Sequence, residues 1–280
     1  MSRRLRQWIR GCLGAACLVV PGGCDRPASD TGQASPTIRI ASLSPAMTMT
    51  LQQAGLGAYL VGRSAFCRDV EHLPVVGDLQ TVNAEQLVRL APTHVFVQRS
   101  PQGVDQDLRG LAEVRGWTIV AQPLVDLHDV KKLLEGLPEV IPNAGIASQC
   151  ELLGARIDEA LRSTAGSMRP SVLIVSPGPA PLAWGRDTYL GQLVERAGGA
   201  NLLSGSQWTT LSLEDIARLD PDVLLVPSDG DPGDLGPLEQ AVGAERVRVL
   251  SSPAIDVPGP HLVELAPKIR AILSSYTQPP

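Results

Sequence analysis

From residue 38 onward, short apolar runs alternate with segments whose apolar positions recur at helical spacing. Residues 38–43 (IRIASL) read as a strand. Ser44 followed by Pro45 is a cap and first-turn pair, and opens a helix that runs to the glycines at 55 and 57. Residues 59–62 and 75–76 are short β-like runs, and Asn83 caps a helix that ends at Leu90. A strand at 94–97, a helix at 105–115, a strand at 118–120 and a helix at 126–136 complete the first half. Such alternation predicts a largely parallel sheet covered by helices.

Residues 144–163 contain no proline and two glycines, with Ile146, Leu152, Leu153, Ile157 and Leu161 at helical spacing. Twenty helical residues span about 30 Å, enough to run from one lobe to another. The β/α rhythm then resumes: a strand at 171–175, helices at 190–197 and 213–219, a strand at 223–226, a helix at 235–242, a strand at 247–250 and a last helix over 261–275. The halves are related. Residues 82–97 (VNAEQLVRLAPTHVFV) align with 211–226 (LSLEDIARLDPDVLLV) at a constant offset of 129. Glu85/Glu214, Arg89/Arg218, Leu90/Leu219, Pro92/Pro221 and Val97/Val226 coincide. The expected fold is therefore α/β: two similar lobes with mostly parallel sheets, joined by one long spanning helix, with a ligand cleft between them.

The N-terminus follows a different logic. Residues 2–10 carry four arginines and no acid, and a thirteen-residue apolar run leads to Cys24. That run is too short to span a bilayer and reads as a signal peptide. Gly22 and Gly23 before Cys24 resemble a bacterial lipobox, in which the cysteine is lipidated and becomes the new N-terminus. Pro21 stands where such boxes carry an aliphatic residue, and Cys17 after two alanines is the alternative. Residues 25–36, rich in Pro, Ser, Asp and Gly, form a flexible tether. The expected organisation is a signal and lipobox (1–24), the tether (25–36), an N-terminal lobe (37–142), the spanning helix (143–165) and a C-terminal lobe (166–280).

Charge and cysteine content narrow the function. The 280-residue chain has a net charge of −5, and without the four signal arginines 20 basic residues face 29 acidic ones. That balance argues against a nucleic-acid partner. Beyond the signal only Cys67 and Cys150 remain, far apart and in different kinds of element. They read as core or pocket lining rather than as a disulfide.

The body resembles the extracytoplasmic binding proteins of ABC importers for cobalamin and iron–siderophore complexes, the helical-backbone metal receptors. The residues that carry the resemblance are IRIASLSPAMTMTLQQAGLGAYLVGRS and LPVVGDLQTVNAEQLVRLAPTHVFV in the first half. In the second they are DTYLGQLVERAGGANLL, WTTLSLEDIARLDPDVLLVPS and PGPHLVELAP, so the likeness covers residues 37–276. It implies two α/β lobes with a stiff connecting helix, small closure on binding, and one glutamate per lobe that docks on permease arginines. The matching positions are Glu85 and Glu214. Each also lies in a first helical turn, where an acid is favoured by the helix dipole whatever its function. The resemblance further implies a periplasmic location, with the membrane reached through the lipid on Cys24, and a monomer.

In that family the ligand lies on the loops at the strand ends, here 44–47, 64–69, 77–81, 177–187, 207–210 and 252–258. Phe66 and Trp208 match positions of pocket aromatics, and Trp184 is a further candidate. A large chelate is held mainly by stacking and van der Waals contact, which rings supply with little entropy cost. In a chain with only 3 % aromatic residues such rings stand out. Leu79 stands where cobalamin-binding members carry another aromatic. Arg63, Arg68 and Arg186 lie in or beside these loops, where they could hold an anionic chelate.

His72, His94, His128 and His261 form no metal-spaced pair, so no protein-bound metal is assigned. Cys67 and His72 are the donors beside the Phe66 loop. His94 reads as a core histidine and His261 as a helix-start residue. The chain has no G-x-S-x-G, P-loop or H-E-x-x-H motif, so no catalytic residues and no cofactor are expected. The expected cargo is a metal chelate: a corrinoid first, then a ferric siderophore or haem. A free-metal receptor and a binding module uncoupled from transport are the alternatives.

Overall fold

The computed structural model describes residues 38–142, 145–163, 169–205 and 207–276. All lie in one compact unit that starts at residue 36. The signal, Cys24 and the tether lie outside the described residues. Among the described residues, no helix is long and apolar enough to cross a membrane.

The first half contains β1 (Ile40–Ser42), α1 (Pro45–Gln53), β2 (Leu60–Ser64), β3 (Val75–Gly77), α2 (Ala84–Leu90), β4 (His94–Gln98), α3 (Gln106–Arg115), β5 (Thr118–Gln122) and α4 (Leu127–Val140). Its strands form one parallel sheet in the order β3-β2-β1-β4-β5. The order reverses direction at β1, so the carboxyl end of β1 opens a crevice of the kind in which open α/β sheets bind ligands.

Next come α5 (Ile146–Ala160), β6 (Ser171–Ser176), β7 (Leu182–Trp184), α6 (Tyr189–Arg196), β8 (Ala200–Asn201), β9 (Trp208–Thr210), α7 (Leu213–Leu219), β10 (Val223–Ser228), α8 (Gly236–Val242), β11 (Val247–Ser251) and α9 (Leu265–Ser274). A 3₁₀ turn at Pro260–Glu264 precedes α9. The second sheet runs β11-β10-β6-β7-β9, with β8 paired to the start of β6. Its β6, β10 and β11 are parallel, but β7 and β9 are antiparallel, which the sequence pattern did not predict.

The repeat is realised in detail. Asn83 caps α2 and Ser212 caps α7, and both helices end on a non-glycine residue in left-handed conformation, Ala91 and Asp220, at φ 44°. Pro92 and Pro221 follow, and neither helix continues.

Alternation along the strands sorts the core into three clusters. Ile40, Phe96, Val172, Ile174, Val223 and Leu225 point to one side, and all join a single cluster with α1, α4, α5, α6 and α9. Their neighbours point the other way. Ala41 and Val95 meet Leu87 of α2 and Leu108 of α3, and Leu173, Val175, Leu224 and Val226 meet Ile216 of α7 and Leu238 of α8. The central cluster is thus common to both sheets, and each sheet has its own outer layer.

The connecting helix is shorter than the expected 30 Å. At 15 residues, α5 is about 22 Å long. Gly145, at φ 106°, stands before its first turn, and residues 143–144 and 164–165 lie outside the described residues. It still touches both halves. Gln149 donates from Nε2 to the Gln53 carbonyl (3.0 Å), and Arg156 pairs with Glu264 (3.1 Å). Lys131 of α4 holds Asp158 at 2.7 Å. Across the sheets, the Tyr189 amide donates to the Val125 carbonyl (3.1 Å), and Gln192 accepts from the Leu127 amide (3.0 Å).

A shared core predicts shared unfolding. Ile157→Ala, at a fully buried position of α5, is expected to cost about 2–5 kcal/mol. Urea transitions followed by circular dichroism and by tryptophan fluorescence should move together. A fluorescence transition that separates from the dichroism would show that the two halves unfold independently.

Candidate functional site

The strand ends of the two sheets frame a groove along α1. Most of α1 is buried, but Pro45, Met49, Gln52 and Gln53 form a partly open stripe at helical spacing. A cavity of about 340 Å³ lies at the amino end of this stripe, lined by Pro45, Thr48, Phe66, Cys67, Asp256 and Val257 among others. A second, of about 620 Å³, lies towards its carboxyl end, lined by Gln53, Asp69, Ser252, Pro253, His261 and Glu264 among others. The two share Met49, Gln52, Arg68 and Ala254, and so form one groove with walls from both halves.

The first wall is stiff. Ser44 accepts from the Ala46 and Met47 amides (3.2 and 3.4 Å) and donates to Gln98 Oε1 (2.7 Å), which ties α1 to the end of β4. A buried relay runs behind the cavity. Thr48 donates to Ser42 Oγ (2.8 Å) and Ser42 to the Ser44 carbonyl (3.2 Å), which leaves Thr48 Oγ1 to accept from the Cys67 thiol (3.0 Å). Burial pushes the Cys67 thiol pKa up, so the group stays protonated and acts as a small apolar wall residue. Cys67 and Cys150 are both free and buried.

The opposite wall turns on Ala254, a non-glycine residue at φ 52°. Asp229 Oδ1 accepts its amide hydrogen (2.8 Å), and His261 Nε2 donates to its carbonyl (3.1 Å). Backbone held in this uncommon region persists only where such partners over-determine it. With the proton on Nε2, the buried Nδ1 has no hydrogen-bond partner. It packs against Gly259, where an added Cβ would lie 2.9 Å away. Burial lowers the His261 pKa, so the ring is neutral. Arg68 crosses the groove and pairs with Asp229 from the other half.

The sequence-predicted residues separate into groups. Phe66 is 68 % exposed and, with Arg68, lines the groove. Trp208 stands at a sheet edge, 38 % exposed, with its ring 6.4 Å from that of Tyr189. Tyr189 is a buried core residue, and burial, with Asp256 adding to it, pushes its phenol pKa far up. Trp184 is a correction. It is 5 % exposed and belongs to the central core; β7 pairs it in register with Trp208, whose strand β9 is the sheet edge and leaves that ring the more open of the two. The Trp184 indole N–H favours the Tyr189 phenolate from nearby but closes no hydrogen bond of its own.

Arg63 is held by the loop that follows it, and Arg186 by β8 and α6. Arg63 donates to the carbonyls of Leu73, Ser64 and Ala65 (3.0–3.2 Å), which braces the Phe66 loop. Arg186 donates to the Asn201 carbonyl (3.2 Å) and pairs with Glu195 (3.3 Å). Neither lines the groove. Sequence reasoning missed Met49, Gln52, Asp229, Asp256 and the wall role of His261. Only the spacing of Pro45, Met49 and Gln52 along α1 carried a signal. Among the described residues no group of three His, Cys, Asp or Glu side chains could hold a metal ion.

Glu85 and Glu214 line neither cavity of the groove, and each is exposed in the first turn of its matched helix. Their surroundings differ. Arg89 pairs with Glu85 (2.9 Å), whereas Arg218 pairs with Asp215 (3.1 Å), because the second copy has an acid where the first has Gln86.

Comparison with known proteins adds to this geometry. No family model matches the chain. It is 26 % identical over 196 residues to the vitamin B12-binding protein of Yersinia pestis (strain Pestoides F), across 67 % of this chain and 69 % of that protein. The periplasmic vitamin B12-binding protein of Vibrio cholerae superposes with a TM-score of 0.69 at 21 % identity, over 87 % of this chain and 99 % of that one. The periplasmic haem-binding protein of Roseiflexus sp. RS-1, in its apo form, gives 0.66 at 21 %, over 86 % and 100 %. That of V. cholerae gives 0.67 at 19 %, over 85 % and 99 %. The resemblance read from the sequence motifs is therefore found again in a curated relative and in the fold.

The buried His261 predicts a pH dependence. The unfolded chain protonates this ring near 6.5, but the folded state holds it neutral to lower pH. Stability is thus complete above pH 6.5 and is lost as pH falls from there through the folded value. His261→Gln, which keeps a donor for the Ala254 carbonyl, is expected to flatten that loss in urea titrations between pH 7 and 5. An unchanged slope would mean that the ring is not held neutral.

Proposed function

We propose that this chain is an exported substrate-binding protein of an ABC importer, which captures a metal chelate between its two lobes and delivers it to a membrane permease. The observation that carries this reading is the two-walled groove at the reversal point of the first sheet. Phe66 stands at one end of it and Trp208 beside Tyr189. The cavities of about 340 and 620 Å³ fall in the range of small-molecule sites. Likeness to vitamin B12-binding and haem-binding proteins supports the cargo class.

A corrinoid is the favoured cargo, with haem or a ferric siderophore next. A flat macrocycle would rest on Phe66 and on Pro45 and Met49 of α1, with Trp208 against its rim. Arg68 is the cation placed to meet an anionic group on the cargo, by exchanging Asp229 for it. Arg63 and Arg186 act one step back, by holding the loops. The lobes are taken as 37–142 and 166–280, with 143–165 as the connection. Glu85 and Glu214 dock on permease arginines, and Cys24 carries the lipid that keeps the monomer at the membrane. Matched charges at two ends of a stiff body set orientation and encounter rate more than raw affinity. Release needs a permease that favours the open form.

Calorimetric titration with cobalamin, cobinamide, haem and a panel of ferric siderophores tests the cargo. Submicromolar binding of the corrinoids is expected. Phe66→Ala and Trp208→Ala should each weaken it at least tenfold, about 1.4 kcal/mol. Silence across the panel, with a response to free metal ions, would replace the chelate reading. The double variant Glu85→Ala/Glu214→Ala should abolish uptake at unchanged cargo affinity, and undiminished uptake would remove the docking role.

A further inference from the structure

A cavity of about 400 Å³ lies at the tip of the second half, away from the groove. Its walls are five prolines, at 177, 179, 181, 232 and 237, with Leu213 and Leu238. The first three prolines belong to the β6–β7 connection and the last two to the stretch from β10 into α8. Proline fixes its own φ, so these walls are set before anything binds, and ordering costs little. Leu213 is 38 % exposed, an uncovered apolar side chain at the first position of α7.

The surroundings are acidic. Glu214 follows Leu213, and Asp231 and Asp234 flank Pro232, all three exposed. The nearest cation on α7, Arg218, is already paired with Asp215, which also closes the capping box with Ser212. Among the described residues Glu214 therefore has no ion pair, unlike its counterpart Glu85. The matched first-half helix presents Ala84 where this one presents Leu213. The two tips of a repeated molecule are unequal in both shape and charge.

We propose that this proline-walled cavity receives an apolar side chain of the importer permease, from a loop in which that side chain is flanked by Arg or Lys. The apolar residue fills the cavity beside Leu213, and its basic neighbours meet Glu214, Asp231 and Asp234. The matched helix of the first half presents Glu85 with Ala84 in the place of Leu213. This inference rests on the docking role given to Glu85 and Glu214.

The test is binding of the full, cargo-loaded protein to its permease in nanodiscs, with uptake in cells measured alongside. Leu213→Asp places an acid where a first helical turn favours one, so the fold is kept. Pro179→Glu alters the opposite wall as a second variant, and Ala84→Asp is the matched control on the first half. Leu213→Asp and Pro179→Glu should each weaken permease binding at least tenfold and lower uptake, at unchanged cargo affinity. Ala84→Asp should stay within twofold. If both cavity variants bind as the wild type while Glu85→Ala/Glu214→Ala does not, the docking role stands and the cavity has no part in it. If the double glutamate variant also binds normally, the docking role fails and the inference falls with it.

Discussion

One apolar cluster, to which both sheets and five helices contribute, holds this molecule together. Strand alternation sends Ile40 and Phe96 of one sheet, and Val172, Ile174, Val223 and Leu225 of the other, into the same cluster. The helices between them, α1, α4, α5, α6 and α9, have no separate cores. Each sheet keeps an outer layer of its own, but the inner faces have one core between them. Packed interiors deform little. A groove whose two walls rest on one packed core is therefore set largely by folding, not by the ligand.

That constraint explains where chemistry is found. The carboxyl end of β1 is the reversal point of the first sheet, and α1 starts there under the Ser44 cap. The opposite wall is the Ala254 turn, held by Asp229 and His261. Arg68 spans the gap and meets Asp229. The polar groups of the walls are largely satisfied within the protein, so the open surface offered to a ligand is Phe66, Met49, Gln52 and Asp256. This surface suits a broad, mostly apolar molecule better than a bare ion, which needs converging donors.

Much of the fold was legible in the chain because its signals are local. Caps at Ser44, Asn83 and Ser212 depend on neighbours within a few residues, and the repeat at an offset of 129 shows one such local pattern twice. The sheet-edge pair β7 and β9 was not legible, since three-residue strands carry no period to read. Trp184 and Trp208 show the cost. They face each other in register, yet one is core and the other, on the edge strand, half open, and only the strand order decides which. The arginines fail for a related reason. Arg63, Arg68 and Arg186 look alike in sequence, but Arg63 finds carbonyls in the loop that follows it, Arg186 is held by Asn201 and Glu195, and Arg68 reaches across the groove. The length of α5 was over-read because helical spacing continues past the residues that form the helix.

A distance between the two halves tests the shared core most directly. Spin labels at Ala84 and Ala217, exposed positions on α2 and α7, report on the outer helices of each half. Double electron–electron resonance with and without saturating cargo should show a narrow distribution that shifts by about 2 Å or less, as for preorganised sites. A broad distribution in the free protein, or a shift of many ångströms on binding, would mean hinged lobes and would contradict a groove set by one common core.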